Sequence, residues 1–218
     1  RHLPQRLFDP FSSMVFTSAT LSTQENFLFF KERLGLNSQK ERLQEKVFSS
    51  PFDYARQALF ATVSNLPFPD QFDFEERAST LLEDILLSSR GGAFVLFTSY
   101  KSLQSFHNRL KSSLEDKGLV CFKQGNSPRE KLLEEFKKKG NGVLFGTDSF
   151  WEGVDVVGKS LRCVIIMKLP FKVPSEPLNQ GRCEEMRKAG KDPFFSYSLP
   201  EAILKFKQGF GRLLRHKE

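Results

Sequence analysis

The side chains best suited to phosphate chemistry lie near the end of the sequence, in the run QGFGRLLR at 208–215. At about 100° per residue of an α-helix, Gln208, Arg212 and Arg215 fall on one face, and Lys205 lies on the same side. An amide and two guanidiniums at this spacing are donors that suit phosphate oxygens. Gly211 lets a nucleotide or another backbone approach closely. A solvated basic face of an amphipathic helix would produce the same pattern, and both interpretations stay open at this point.

A second unusual segment is 146–158, with the sequence GTDSFWEGVDVVG. Neither strand nor helix propensity requires this mixture of glycines, hydroxyls, carboxylates and the chain's only Trp. Asp155 is able to accept a hydrogen bond from a ribose hydroxyl, and Glu152 is able to organise the loop or a neighbouring arginine. Trp151 is able to stack on a base, as aromatic residues do in single-strand-binding proteins. The alternative is that Phe150 and Trp151 are core residues and that the carboxylates cap the next turn.

The stretch Gly153–Ser160 matches the P-loop expression GxxxxGK[ST]. A P-loop joins a strand to a helix whose N-terminus faces the phosphates, whereas residues 161–167 are strand-like here. The loop interior is also rich in β-branched residues, which disfavour the positive φ angles of a phosphate nest. We interpret the match as chance. A self-contained nucleotide hydrolase that uses Lys159 is the weakest of the hypotheses.

The elements that must position these residues alternate between strand and helix. The predicted strands are 13–18, 59–63, 93–97, 119–122, 142–145 and 162–167. The predicted helices are 23–34, 73–89, 101–116, 128–139 and 199–215, the last two beginning in capping boxes at Ser127 and Ser198. Such alternation predicts right-handed βαβ units in an α/β fold. Ligands of these folds gather at the carboxyl ends of the strands, where the segments 98–100 and 146–155 lie.

Composition narrows the class of partner. A net charge of +7 and a pI of about 9.3 favour a polyanionic partner. The scattered Cys121, Cys163 and Cys183 argue against a metal site and a disulfide framework, so we expect a reducing cytoplasm. No apolar stretch approaches the ~20 residues of a membrane helix, so no membrane partner is expected. The chain begins at Arg1 without Met and stops at Glu218 just after a helical motif, so both ends are expected to be cut.

Four segments resemble, in order, motifs III, IV, V and VI of the C-terminal half of the DinG/XPD group of superfamily 2 DNA helicases. They are TSATL at 17–21, FTSY at 97–100, GTDSFWEGVD at 146–155 and QGFGRLLR at 208–215. The resemblance implies a three-layer sandwich with a mainly parallel RecA-like (P-loop NTPase-type) sheet flanked by helices. It implies that residues 1–45 contain the motif III strand and a linker or helix entering the domain, and that 46–218 form the second RecA-like domain, truncated at its end.

The same resemblance implies roles on the nucleotide side. ATP and Mg²⁺ would be held mainly by a first RecA-like domain that carries the P-loop and DEAH box. Arg212 and Arg215 would act as arginine fingers on the γ-phosphate, and Gln208 would sense or position it. The residues that would line the nucleotide are Glu152, Gly153, Asp155 and Gly211. An iron–sulfur cluster, if the protein has one, would lie in the absent part.

On the nucleic-acid side, the resemblance implies a track for single-stranded DNA that contacts chiefly phosphates and reads no sequence. The implied contacts are Thr98, Ser99, Tyr100, Thr147, Ser149 and Trp151. Ser18 and Thr20 would couple the nucleotide state to this track. The predicted function is one half of an ATP-dependent DNA helicase of DNA repair or replication, inactive as a fragment. The alternative is a non-catalytic nucleic-acid-binding RecA-like module, and a P-loop and DEAH box upstream would decide between the two.

Overall fold

A computed structural model describes residues 8, 10–23, 26–151, 156, 160–211 and 213, with the backbone alone for 38–40, 148 and 149. The chain divides into two compact units. One comprises Arg1–Ser50 with Pro170–Lys207, and the other comprises Pro51–Leu169 with Gln208–Glu218. Among the described residues, no helix is both long enough and apolar enough to span a membrane.

The strands are β1 (Ala93–Leu96), β2 (Val120–Lys123), β3 (Gly142–Gly146) and β4 (Cys163–Ile166). The helices are α1 (Leu28–Leu34), α2 (Tyr54–Gln57), α3 (Phe74–Ser88), α4 (Tyr100–Asp116), α5 (Arg129–Lys139), α6 (Asp148–Trp151), α7 (Pro177–Lys188) and α8 (Leu199–Phe210). A 3₁₀ segment follows α1 at Leu36–Arg42, and a π-helical turn at Phe194–Ser198 leads directly into α8.

All strand pairs of the sheet are parallel, in the order β2-β3-β1-β4. The central strand β1 places Val95 opposite Phe145 on one side and Ile165 on the other. Parallel neighbours require crossover connections, and helices supply them. The predicted α/β class with a parallel sheet is therefore confirmed.

Helices cover both faces of this sheet, which gives the three predicted layers. On one face Ala93 and Val95 pack into a core with apolar residues of α3 and α4. On the other face Phe94 and Leu96 pack with Leu132 of α5 and with the residues that follow β3. Every residue of β1 is fully buried because helices cover both faces of the sheet. The strand is therefore apolar throughout and does not alternate between apolar and polar residues.

Arg162 closes the edge of the sheet opposite to the carboxyl ends. Its guanidinium donates to the carbonyl oxygens of Arg90 at 2.9 Å, Gly140 at 3.1 Å and Ser89 at 3.3 Å. These carbonyls lie just beyond the ends of α3 and α5, where helix carbonyls lack intrahelical partners and a cation is favourable. A single side chain thus ties two helices from opposite faces to the sheet.

The unit that contains α7 and α8 is built around the buried Tyr197. The Tyr197 hydroxyl donates to Asn179 Oδ1 at 2.9 Å and accepts from Arg182 Nη1 at 2.9 Å. Lys172 Nζ lies 5.6 Å from the centre of the Tyr197 ring and pairs with Glu201 at 2.6 Å. Within this unit, the network therefore ties α7 and the π-helical turn to the first turn of α8.

The predictions of strands at 13–18 and 59–63 are wrong. Residues 13–18 and 59–63 form no sheet pairing, and their side chains are exposed, 87% for Val15 and 91% for Leu59. A β-branched run gains stability as a strand only when a neighbour pairs with its backbone and covers its side chains. No described segment does so for either run.

Both predicted capping boxes are also wrong. Helix α5 begins at Arg129 rather than at Pro128, which occupies the N-cap position with φ −52° and ψ 145° and leaves Ser127 outside the helix. Ser198 caps nothing, because it ends the π-helical turn that runs without a break into α8. The other predicted helices and strands of the sheet-containing unit agree with the structure to within one or two residues, whereas the predicted helix 23–34 begins only at Leu28.

His107 on α4 is buried and meets the edge of the Phe145 ring at 5.4 Å. Among the described residues, neither ring nitrogen has a partner with hydrogen-bonding geometry. Burial lowers the pKa of His107, and this outweighs the nearby Asn108 side chain, which raises it. The folded state therefore binds a proton at this ring less readily than the unfolded chain does, whose imidazole is protonated below pH ~6.5. Stability from this source is complete above that pH and is lost as the pH falls below it.

We expect the free energy of unfolding to fall between pH 7.5 and pH 5.5 in the wild-type chain and to fall less in His107→Leu. Each unit by which folding lowers the pKa contributes about 1.4 kcal/mol to the full loss. Urea titrations of both proteins at the two pH values measure the difference. Equal losses in the two proteins would show that His107 is not the group that titrates.

Candidate functional site

The carboxyl edge of the sheet brings three loops together. Residues 98–100 follow β1, Gln124 and Gly125 follow β2, and Thr147 follows β3. Because β2, β3 and β1 are adjacent and parallel, their carboxyl ends open on the same side. The predicted contacts from the segment after β1 and from Thr147 therefore lie at one edge of one unit.

Ser99 and Tyr100 form the beginning of α4. Ser99 has extended backbone angles, and its Oγ accepts from the Ser102 amide at 3.2 Å, so it is the N-cap of the helix. Tyr100 is 50% exposed, and its hydroxyl donates to the main-chain carbonyl of Gln124 at 3.3 Å. Capping therefore uses an oxygen lone pair of Ser99 and leaves its hydroxyl proton available.

The loop after β2 needs a glycine at position 125. Gly125 has φ +95°, and a Cβ at this position would lie 2.9 Å from the Tyr100 hydroxyl oxygen. A side chain here would be strained by the backbone and would displace the tyrosine. The contact between the loops after β1 and β2 thus depends on the absence of a side chain.

Gln124 joins the loops after β2 and β3. Its Oε1 accepts from the Thr147 amide at 2.6 Å and from the Thr147 hydroxyl at 3.0 Å. The backbone N–H of Gln124 donates to the Phe145 carbonyl at 3.0 Å. The sequence analysis missed Gln124, although its position directly after a strand that ends at the same edge was a usable signal.

Trp151 is a core residue, and the predicted stacking on a base is wrong for this structure. Its side chain is fully buried, and the indole N–H donates to the Phe97 carbonyl at 3.2 Å. The ring packs with Phe94, Leu96 and Phe150 on one face of the sheet. A ring with no exposed face cannot receive a base, so the alternative that Trp151 belongs to the core is the correct one.

Trp151 also holds the end of α8. A Cβ at Gly209 would lie 2.9 Å from Cε3 of the indole ring, so the helix backbone lies directly on the ring. Gln208 precedes this contact, and the partly buried Leu213 packs against the same core. The segments that resemble motifs V and VI therefore meet within one unit.

The prediction that α8 continues to residue 215 is wrong. The helix ends at Phe210, Gly211 is an exposed turn, and the Leu213 amide donates to the Phe210 carbonyl at 3.1 Å. Glycines at 209 and 211 weaken the helix, and Leu213 turns toward the core. Gln208 therefore does not share one unbroken helix with Leu213.

Several predicted site residues lie outside the described part of the chain. They are Glu152, Gly153, Asp155, Lys159, Arg212 and Arg215, together with the side chain of Ser149. Ser18 and Thr20 lie in the other unit, where the Thr20 amide donates to Ser18 Oγ at 3.2 Å and closes a local turn. The coupling role of Ser18 and Thr20 stays a prediction.

The described residues include no group of three His, Cys, Asp or Glu side chains that could hold a metal ion. Burial raises the pKa of Cys121 to about 12, and burial also raises the pKa of Cys163. Both thiols therefore stay protonated near neutral pH, and a protonated thiol is a poor nucleophile.

In open α/β sheets ligands bind at the carboxyl ends of the strands, which is the edge where the loops after β1, β2 and β3 meet in this fold. Residues 82–218 match the family model described as the helicase C-terminal domain, and the chain belongs to this family. The resemblance inferred from the four motifs is thereby confirmed at the level of the family.

The relatives carry helicase or exonuclease names. "ATP-dependent DNA helicase YoaA" of Escherichia coli (strain K12) is 39% identical over 203 residues, which are 93% of this chain and 31% of that protein. "3'-5' exonuclease DinG" of Bacillus subtilis (strain 168) is 38% identical over 219 residues, 98% of this chain and 23% of that protein. The solved structure of S. tokodaii Xpd4 overlaps 71% of this chain and 30% of its own, with a TM-score of 0.49 and 20% identity. The chain thus spans less than a third of these proteins.

We expect Gly209→Ala to destabilise the chain by roughly 1–3 kcal/mol, because the new methyl group overpacks against Trp151. Gly181→Ala on α7 is the matched control, since a Cβ there meets nothing within 4 Å. It should be neutral or slightly stabilising. Urea unfolding of both variants measures the effect.

Trp151→Phe shortens the ring, so the double variant should lose less stability than the sum of the two single variants. Additive losses, or equal losses at Gly181 and Gly209, would contradict the close contact.

Proposed function

We propose that this chain is the second motor domain of an ATP-dependent DNA helicase, with the domain itself in 46–218 and residues 1–45 leading into it. The observation that carries the proposal is the contact of Gly209 with Trp151. It brings the end of α8, next to Gln208, against Trp151 of the segment that follows β3. Membership of the helicase C-terminal family and the helicase names of its relatives support the proposal.

On the nucleotide side, Arg212 and Arg215 act as arginine fingers toward an ATP that a first domain of the same protein holds with Mg²⁺. Gln208 positions the γ-phosphate. Two guanidiniums aimed at a transferring phosphoryl group stabilise charge that grows in the transition state, and this accelerates hydrolysis more than it tightens binding. Glu152, Gly153, Asp155 and Gly211 line the nucleotide. The fragment alone is then inactive, because it offers arginines to a phosphate that it does not hold.

On the nucleic-acid side, the carboxyl edge forms part of the track for single-stranded DNA. Thr98, Ser99, Tyr100, Thr147 and Ser149 lie along the phosphates and therefore read no sequence. Ser18 and Thr20 couple this track to the nucleotide state. Trp151 supports the track from the core and does not touch the strand.

The role of the whole protein follows from this assignment. A motor that moves along a single strand suits DNA repair or replication. We place the protein in the cytoplasm, in keeping with its free thiols at Cys121, Cys163 and Cys183. The relatives extend well beyond this segment, so any iron–sulfur cluster belongs to the remainder of the protein.

The test is arginine replacement in the intact protein. Arg212→Ala or Arg215→Ala should each lower DNA-stimulated ATP turnover by ~10³-fold or more, with ATP binding little changed. Replacement by Lys should restore little, because an ammonium lacks the planar two-pronged donor geometry of a guanidinium. Arg187→Ala, at an exposed arginine in the last turn of α7, is the matched control. Turnover that survives both alanine changes would rule out the finger assignment.

A further inference from the structure

Thr147 holds the side chain of Gln124 in one orientation. A backbone amide can only donate, so the Gln124 atom 2.6 Å from the Thr147 nitrogen must be the carbonyl oxygen Oε1. The same Oε1 lies 3.0 Å from the Thr147 hydroxyl oxygen, whose proton is the available donor for this bond. Both acceptor sites of Oε1 are then occupied, and turning the amide group over would set its N–H₂ against the Thr147 backbone N–H and lose that bond.

This arrangement leaves the side-chain nitrogen Nε2 of Gln124 without a part in the bonds to Thr147. Its two N–H groups point away from Thr147, and within the described part of the chain no protein atom accepts from them. Gln124 is half-buried, and the following Gly125 is exposed, so solvent or a ligand can reach this edge. An oriented donor pair at the carboxyl edge of a parallel sheet is suited to an anion.

The other polar groups of this edge are already engaged to different degrees. The Thr147 amide and hydroxyl protons are both donated to Oε1 of Gln124, and the Tyr100 hydroxyl proton is donated to the main-chain carbonyl of Gln124. Ser99 uses a lone pair to cap α4 and keeps its proton. Phosphate oxygens only accept hydrogen bonds, and the described groups at this edge that keep a proton for them include the Gln124 side-chain amide and the Ser99 hydroxyl.

We infer that Gln124 binds a phosphate of the bound single strand through Nε2, with Thr147 as its positioning residue. This inference rests on the proposed single-strand track and adds to it a contact that the motif resemblance does not include. It also changes the role of Thr147, whose hydroxyl orients the glutamine and does not itself meet the strand. The contact is neutral and reaches a phosphate, so it reads no base.

Three substitutions in the intact protein separate the roles of Gln124 and Thr147. Gln124→Glu keeps an acceptor for Thr147 and replaces the donor pair with a negative oxygen. Gln124→Met keeps the approximate size of the side chain and removes all of its hydrogen bonds. Thr147→Val removes the hydroxyl and keeps the backbone amide bond that holds Oε1. Gln180→Met, at an exposed glutamine of α7, is the matched control.

The affinity for 5′-labelled oligothymidine is measured by fluorescence anisotropy across a salt series. We expect Gln124→Glu to weaken binding by about 10- to 100-fold and Gln124→Met by about 10-fold, as for a lost hydrogen bond to a charged group. Thr147→Val should weaken it by only about 2- to 3-fold, because one of the two orienting bonds remains. Gln124→Met should leave the salt dependence unchanged, since a neutral donor releases no counterion.

DNA-stimulated ATP turnover gives the second measurement. The oligothymidine concentration for half-maximal turnover should rise in the Gln124 variants, while turnover at saturating DNA stays at the wild-type value. A role in folding alone would lower the saturated rate and the melting temperature instead. Gln124→Glu guards against that outcome, because it keeps the bonds to Thr147.

Two results would overturn the inference. Binding of Gln124→Glu and Gln124→Met at the wild-type level would exclude Gln124 as a contact. A loss in Thr147→Val at least as large as that in Gln124→Met would make Thr147 the contact and Gln124 its support. A wild-type protein that binds no oligothymidine would instead refute the proposed function itself.

Discussion

The packing of the Trp151 indole is the constraint on which the site depends. The ring donates to the Phe97 carbonyl at the end of β1 and carries the backbone of Gly209 on its face. A buried indole requires a hydrogen-bond acceptor for its N–H and apolar groups packed against its ring. In this fold the acceptor is the Phe97 carbonyl, whereas the backbone of α8 at Gly209 packs against the ring. The end of the central strand, the loop after β3 and the end of α8 are therefore held together by one side chain.

The same constraint explains why residues far apart in the sequence form one edge. Residues 97 and 151 are separated by α4, β2, α5 and β3, yet a hydrogen bond of 3.2 Å joins them. The loops at the carboxyl edge of this core are held by hydrogen bonds between their own polar groups. Ser99 caps α4, and the Gln124 side chain accepts from the Thr147 amide. The donors that this internal bonding does not use define what the edge offers to a ligand.

The predicted strands succeeded where burial on both faces produced a continuous apolar run. The predicted strands 93–97 and 142–145 are of this kind: each is an apolar run too short for a typical helix and is preceded or followed by glycine. Residues 13–18 and 59–63 have similar composition but no paired neighbour in the structure. Composition records which residues favour a strand, whereas pairing depends on a partner that lies elsewhere in the chain. The capping boxes failed for a related reason, since the helix starts were set by Pro128 and by the π-helical turn at Phe194–Ser198.

The sequence by itself determined the α/β class, the positions of the sheet strands and the motifs that mark the helicase C-terminal family. These features depend on local periodicity and on residue types at short spacing, which are written directly in the chain. The tertiary structure alone decided that Trp151 is buried, that α8 ends at Phe210, and that Gln124 is oriented by Thr147. Each of these features depends on contacts between residues that are far apart in the sequence. The burial of a side chain and the partner of its hydrogen bond are set by such tertiary contacts, so no single segment of the sequence specifies them.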